Sequence, residues 1–261
     1  MTLLINQYYL NPLVSINWLS ENLNAASLVV LDVSLESNVA TIEVEFPGIQ
    51  IKGARYFDLK GTFSDLENPL PNTLPNPEAF AFACRNLGIN NNSTIIVYDN
   101  IGIYASPRVW WMFKSMGHKN IAVLDGGLPA WKNKNYPTES IQTQELPKGN
   151  FKALFNSNFQ KTASQILENI ASKEAIVIDA RSNERFCGLV PESRKNLKSG
   201  HIPNAINLPF LEVLKEGKFL PPNEISAIFK KLKIDRQPKI FTCGSGLTAC
   251  VLILAAALIS E

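Results

Sequence analysis

Short runs of apolar residues recur along the chain, each closed by a polar or glycine-containing stretch. The clearest are Leu28-Val29-Val30-Leu31-Asp32, Thr94-Ile95-Ile96-Val97-Tyr98-Asp99, Ala175-Ile176-Val177-Ile178-Asp179 and Lys239-Ile240-Phe241-Thr242-Cys243. Continuous rather than alternating apolar residues suit strands covered on both faces, as in parallel sheets. Segments 77–87, 107–116 and 224–232 read instead as helical. Strands alternating with helices predict an α/β fold, with parallel sheets flanked by helices.

The pattern occurs twice. Asp32 matches Asp179, Ile51 matches Ile202 and Asp99 matches Cys243, at separations of 147, 151 and 144 residues. So steady an offset predicts two tandem domains of one type. Residues 1–140 form the first in this reading, 141–150 a polar linker, and 151–261 the second. After Asp99 the first copy runs through a helix, the strand 120–124 and the turn Asp125-Gly126-Gly127-Leu128-Pro129-Ala130-Trp131. Only 18 residues follow Cys243, enough for the helix alone, so the second domain is expected to be truncated and to lack its last strand.

Charge narrows the range of partners. With 25 basic and 23 acidic residues and no long run of either sign, neither a nucleic-acid surface nor a polybasic membrane patch is expected. Small molecules remain. The four cysteines, Cys84, Cys187, Cys243 and Cys250, show no CxxC spacing and there are two histidines, so no metal site or disulfide framework is expected. Met1-Thr2-Leu3-Leu4-Ile5-Asn6-Gln7 lacks the basic residues of a secretory signal. The apolar run 249–259 is shorter than the about 20 residues of a membrane span, so a soluble, cytoplasmic protein is expected.

Candidate chemistry concentrates at Ile240-Phe241-Thr242-Cys243-Gly244-Ser245-Gly246-Leu247-Thr248-Ala249, where one cysteine sits between an apolar strand and an apolar helix. Two glycines let the backbone curl around the sulfur, and a helix start aims unpaired N–H groups and its positive dipole end at it. Such a setting favours thiolate over thiol and makes Cys243 the candidate nucleophile. The first copy has Asp99 at that position, so the second domain is read as catalytic and the first as its support, helping to wall the cleft. A cysteine phosphatase would need arginine six residues after the cysteine, where this chain has Ala249.

These residues resemble the tandem rhodanese-domain sulfurtransferases, and within them the 3-mercaptopyruvate group. Cys243-Gly244-Ser245-Gly246-Leu247-Thr248 is similar to that group's CGSG(V/L)T loop, whereas thiosulfate-preferring members carry basic residues after the cysteine. Ala105-Ser106-Pro107-Arg108 with Trp110-Trp111, the Gly126-Gly127-Leu128-x-x-Trp131 turn and Gly200-His201-Ile202-Pro203 extend the similarity. The resemblance implies sulfur transfer from 3-mercaptopyruvate through a Cys243 persulfide, without a cofactor, to a reduced thioredoxin-like thiol or to cyanide, with release of pyruvate. It places Arg185 and Arg194 at the family's carboxylate-binding positions, a role that suits planar guanidinium groups. Backbone N–H groups from Gly244 through Gly246 and Leu247 to Thr248 would hold the persulfide, with the Ser245 and Thr248 hydroxyls as further donors and Ser245 in a catalytic role. Thiosulfate as donor and a non-catalytic scaffold are the alternatives.

The resemblance breaks at two places, the missing last strand of the second domain and a proton relay. Some members use a serine–histidine–aspartate relay, and here Asn72 and Lys60 stand at the histidine and aspartate positions. Elsewhere His118 reads as a loop residue, His201 as structural, Arg181 as an ion pair with Asp179, and Cys84, Cys250, Trp110, Trp111 and Trp131 as core, while Cys187, two residues from Arg185, is a redox candidate.

Overall fold

Two copies of a parallel α/β unit account for the chain, which was studied as a computed structural model describing residues 10–36, 38, 41–142, 145–192, 194, 197–233 and 237–260. One unit comprises Met1–Asn156 with Glu216–Lys218, the other Ser157–Lys215 with Phe219–Glu261. The segment Met1-Thr2-Leu3-Leu4-Ile5-Asn6-Gln7 lies outside the described residues.

The first unit contains β1 (Leu13–Val14), α1 (Ile16–Asn22), β2 (Leu28–Asp32), β3 (Ile49–Ile51), β4 (Arg55–Tyr56), α2 (Pro77–Asn86), β5 (Thr94–Tyr98), α3 (Ser106–Ser115), β6 (Ile121–Leu124), α4 (Gly127–Asn133) and β7 (Thr138–Ser140). Its main sheet has the order β1-β6-β5-β2-β4, parallel throughout. The apolar runs become its centre: Leu31, Ile95, Ile96, Val97 and Val123 are fully buried. Local chemistry sets the helix starts, as at α2, where Asn76 accepts the Ala79 N–H at 2.9 Å and Pro77 fills the first turn.

The second unit contains α5 (Ala163–Ser172), β8 (Ile176–Asp179), α6 (Asn183–Phe186), β9 (Ile206–Asn207), the short strands β10 (Leu214–Lys215) and β11 (Lys218–Phe219, of which Lys218 is counted with the first unit), α7 (Pro222–Lys231), β12 (Lys239–Thr242) and α8 (Thr248–Leu258). Its sheet has the parallel order β12-β8-β9. Beyond β5 the first sheet continues into β6, and among the described residues the second sheet has no counterpart beyond β12.

The duplication extends to single hydrogen bonds. Val33 N–H donates to Tyr98 C=O at 2.9 Å in the first unit, and Ala180 N–H to Thr242 C=O at 2.9 Å in the second. Phe57 N–H reaches Asp32 C=O at 2.7 Å, and Leu208 N–H reaches Asp179 C=O at 3.0 Å.

The expected boundary moves. The described residues of the stretch read as the linker 141–150, and the start of the second domain at 151, belong to the first unit. Phe151 is 1% exposed, with its ring 5.9 Å from Phe80 and 5.6 Å from Phe113, and Gly149 N–H donates to Arg85 C=O at 2.8 Å. Leu154 and Asn156 donate to Met116 and Ser115 in the same way. One apolar residue in a polar run has no period, and backbone hydrogen bonds leave no mark on composition. Among the described residues no helix is long and apolar enough to cross a membrane.

Candidate active site

β12 ends at Thr242 and α8 begins at Thr248, so a five-residue loop carries the chain from a strand's carboxyl end to a helix start. α8 is apolar around its whole circumference, with Val251, Leu252, Leu254 and Ala255 fully buried. That burial anchors the helix and fixes where its first N–H groups point. Gly246 has φ +78°, a left-handed conformation that strains any residue with a Cβ. The bend brings Gly246 N–H to 3.1 Å from Cys243 Sγ. Cys243 is half-buried and reduced. Leu247 and Thr248, 6% and 8% exposed, anchor the far end of the loop, and half-buried Ser245 lies on it.

Two arginines converge on Gly244. Arg194 donates from Nη2 to the Gly244 C=O at 2.6 Å. Arg185, on α6, lies so close that a Cβ built on Gly244 would stand 2.9 Å from its Nη2. The two predicted binding arginines therefore approach the loop that carries the predicted nucleophile, at the residue next to it.

A residue the sequence reading passed over ties this together. Glu192 accepts from Arg185 Nη2 on Oε2 at 2.5 Å and from Arg181 Nη1 on Oε1 at 2.7 Å. Arg181 reaches onward to Asp179 Oδ2 at 2.6 Å and to the Gly200 C=O at 2.8 Å. The hydrogen bond from Arg185 holds the Glu192 carboxyl below the usual carboxylate range, and that with Asp179 holds Arg181 above its ordinary value. Arg181 forms the predicted pair with Asp179, inside a larger network. Three guanidinium groups against two carboxylates leave one positive charge in surplus, a setting for an anionic ligand. The signal was present in Pro191-Glu192-Ser193-Arg194, whose glutamate sits two residues before a predicted ligand.

The first unit shows the same loop with a different occupant. Asp99 Oδ2 accepts the N–H groups of Tyr104, Ala105 and Ser106 at 3.0, 2.9 and 3.0 Å, and the Ser106 hydroxyl at 2.9 Å. Gly102, three residues after Asp99 as Gly246 is after Cys243, also has positive φ, +99°. A fan of N–H groups at the helix start thus holds a buried carboxylate where the second copy has its cysteine.

The remaining candidates have these surroundings. Asn72, whose C=O accepts from Arg108 Nη2 at 2.9 Å, and exposed Lys60 belong to the first unit. His201 stacks on Phe186 at 3.8 Å between ring centres and pairs Nδ1 with the Phe186 C=O at 2.8 Å, a structural role. His118 is buried against Phe113, its Nε2 3.0 Å from the Ser93 C=O, and burial pushes its pKa down. Trp131 is fully buried, Trp110 and Trp111 nearly so, and Cys84 fully so, all as core. Cys187 is exposed, with Sγ 3.8 Å from Asn183 Oδ1. Cys250, read as core, is buried, but its thiol donates to the Gly246 C=O at 3.2 Å and so touches the loop.

Comparison with known proteins places this geometry in context. The model of the rhodanese-like domain matches residues 15–134 and again 162–260. The chain is 40% identical over 254 residues to the 3-mercaptopyruvate sulfurtransferase of Mus musculus, covering 94% of this chain and 85% of that protein. It is 37% identical over 263 residues to the thiosulfate sulfurtransferase of Rattus norvegicus, covering 97% and 88%. The crystal structure of SseA from Escherichia coli, a 3-mercaptopyruvate sulfotransferase, superposes with a TM-score of 0.85 at 35% identity, covering 96% of this chain and 95% of that one.

Proposed function

The chain belongs to the rhodanese-like family in both of its halves and is a sulfurtransferase, and on that premise we propose that it moves sulfur from 3-mercaptopyruvate to a thiol or cyanide through a Cys243 persulfide. One observation carries the reading: a half-buried cysteine, held by the Gly246 N–H at a helix start, lies on a loop that Arg185 and Arg194 approach at Gly244. Both arginines orient the donor's carboxylate, Arg194 while also bonded to Gly244 and Arg185 while fixed by Glu192. The Cys243 thiolate attacks the donor sulfur, and the carbon–sulfur bond breaks with its electron pair passing into the enolate of pyruvate, which is then protonated on carbon. The persulfide left on Cys243 is anionic and is received by the loop N–H groups. A second thiol, as on a reduced thioredoxin-like protein, or cyanide removes the outer sulfur and restores the thiolate. Catalysis in this scheme does not pass through the Asn72 and Lys60 positions.

Thiosulfate is the second reading, favoured by the similarity to the rat thiosulfate sulfurtransferase. The loop supports the first. Gly244 and Ser245 add no positive charge after the cysteine, and the cations beside Gly244 are planar guanidinium groups suited to a carboxylate. Intact-mass measurement of the reduced protein and of Cys243→Ser, after either donor, tests this. One added sulfur atom on the wild type alone, faster with 3-mercaptopyruvate, is expected. Faster loading by thiosulfate would reverse the donor assignment, and no loading of folded protein by either would leave a non-catalytic scaffold.

A further inference from the structure

The persulfide outer sulfur has a positional stand-in within this chain. Counting bonds from Cα, Asp99 Cγ corresponds to Cys243 Sγ, and Asp99 Oδ2 to a second sulfur attached to it. In the first unit that atom is touched by one side chain besides the three N–H groups, the Ser106 hydroxyl at 2.9 Å. Ser106 is seven residues after Asp99, and the residue seven after Cys243 is Cys250. Both loops have a positive-φ glycine at the third position and lead into a helix, which begins at Ser106 in the first copy and at Thr248 in the second, so that Cys250 lies in the first turn of α8. Cys250 already bonds to the loop through the Gly246 C=O, whose own N–H is on Cys243 Sγ.

We propose that Cys250 contacts the outer sulfur of the Cys243 persulfide and, when no acceptor arrives, resolves it; this rests on the persulfide reading above. Cys250 passes its proton to the outer sulfur, and its own sulfur then bonds to Cys243 Sγ. The bond from Sγ to the outer sulfur breaks, and that sulfur leaves with the electron pair as hydrogen sulfide. A Cys243–Cys250 disulfide remains. The two thiols are oxidised and the sulfane sulfur is reduced, so the step balances without an external oxidant. The protein would thereby release sulfide once per donor and stop until a dithiol reopens the bond.

The test is a single anaerobic pulse of 3-mercaptopyruvate on reduced protein without acceptor, followed by intact mass, sulfide assay and non-reducing peptide mapping. The expected course is a gain of one sulfur, then loss of that sulfur and two hydrogens, one equivalent of sulfide, and a disulfide mapped to Cys243 and Cys250 that a dithiol reverses. A reduced sample without donor, kept alongside, excludes stray oxidation. Cys250→Ser, which installs the residue of the first copy, and Cys250→Ala are expected to hold the added sulfur at least about tenfold longer. A wild-type persulfide that persists, or that decays to the reduced mass without the disulfide, overturns the inference while leaving the sulfurtransferase reading intact. No gain of sulfur at all would remove both.

Discussion

Replacing Gly244 by alanine puts one methyl group where Arg185 lies. The backbone there does not need glycine, because Gly244 is outside the positive-φ region, so the effect comes from the side chain alone. The new Cβ would stand 2.9 Å from Arg185 Nη2, 3.8 Å from Cζ and 3.9 Å from Nη1. Ordinary contact begins near 3.5 Å, so the guanidinium must retreat by about 0.5–1 Å. Arg185 is the flexible end of a long side chain, but it is tied to Glu192 at 2.5 Å, so the retreat strains that pair or tilts the guanidinium plane. Folding is little affected: Gly→Ala at a permitted backbone position gains about 0.4–1 kcal/mol, which offsets a small local strain. Substrate binding is affected more, because a charge-assisted hydrogen bond to the donor carboxylate contributes about 1.5–3 kcal/mol. At about 1.4 kcal/mol per decade that is a roughly 10- to 150-fold rise in KM for 3-mercaptopyruvate, with kcat much less changed because the carboxylate is bound alike in ground and transition states. Steady-state pyruvate release and a melting curve measure both quantities. A KM within about twofold of wild type, in protein of normal melting temperature, would refute the placing of Arg185 on the substrate.

Three further outcomes follow from the same contacts. Glu192→Gln leaves Arg181 and Arg185 facing a neutral amide and is expected to destabilise the fold by up to about 3–5 kcal/mol. Because the folded-state pKa of Glu192 is depressed, its contribution is present above the ordinary carboxylate value of about 4.3 and is lost as pH falls through the folded value, so urea melts at stepped pH should show a shallower acid loss in the variant; parallel curves would count against the network. Tyr98→Phe removes the hydroxyl that donates to Asp32 Oδ2 at 2.8 Å and accepts the Ile51 N–H at 3.0 Å, both buried, and chemical denaturation should register a loss of about 2–4 kcal/mol. Alkylation of the native reduced protein should label exposed Cys187 and half-buried Cys243, and spare Cys84, whose pKa burial pushes well up, and Cys250; peptide mapping that finds Cys84 labelled before unfolding would contradict its packing.

What the sequence disclosed follows a physical division. The strand run 94–98 was legible because burial on both faces demands unbroken apolar residues, and the cysteine loop was legible because tight turns demand glycine at Gly246. Glu192 was legible only as a charged neighbour of Arg194; the ion-pair network joining residues 179, 181, 185 and 192 has no period and follows from how α6 and its flanking loop fold back on β8. The fate of residues 141–156 was hidden for a similar reason: their attachment runs through backbone hydrogen bonds and one phenylalanine. Cys250 was read correctly as buried, yet its contact with the loop depends on a side-chain direction that composition does not contain.

The first unit explains why one loop can hold either a carboxylate or a sulfur carrier. Its N–H fan converges on Asp99 with four backbone donors, yet burial still raises the Asp99 pKa above the ordinary carboxylate value. Backbone donors at a helix start therefore do not by themselves offset full desolvation of an anion. The second loop differs in the two respects that this shortfall requires. Cys243 is half-buried rather than sealed, and Arg185 and Arg194 bring positive charge to Gly244, one residue away. In the proposed reaction the duplicated turn would supply the geometry, while solvent access and the two arginines would supply what a persulfide anion needs beyond it. Substituting Asp99 by cysteine would thus reproduce the turn without the chemistry.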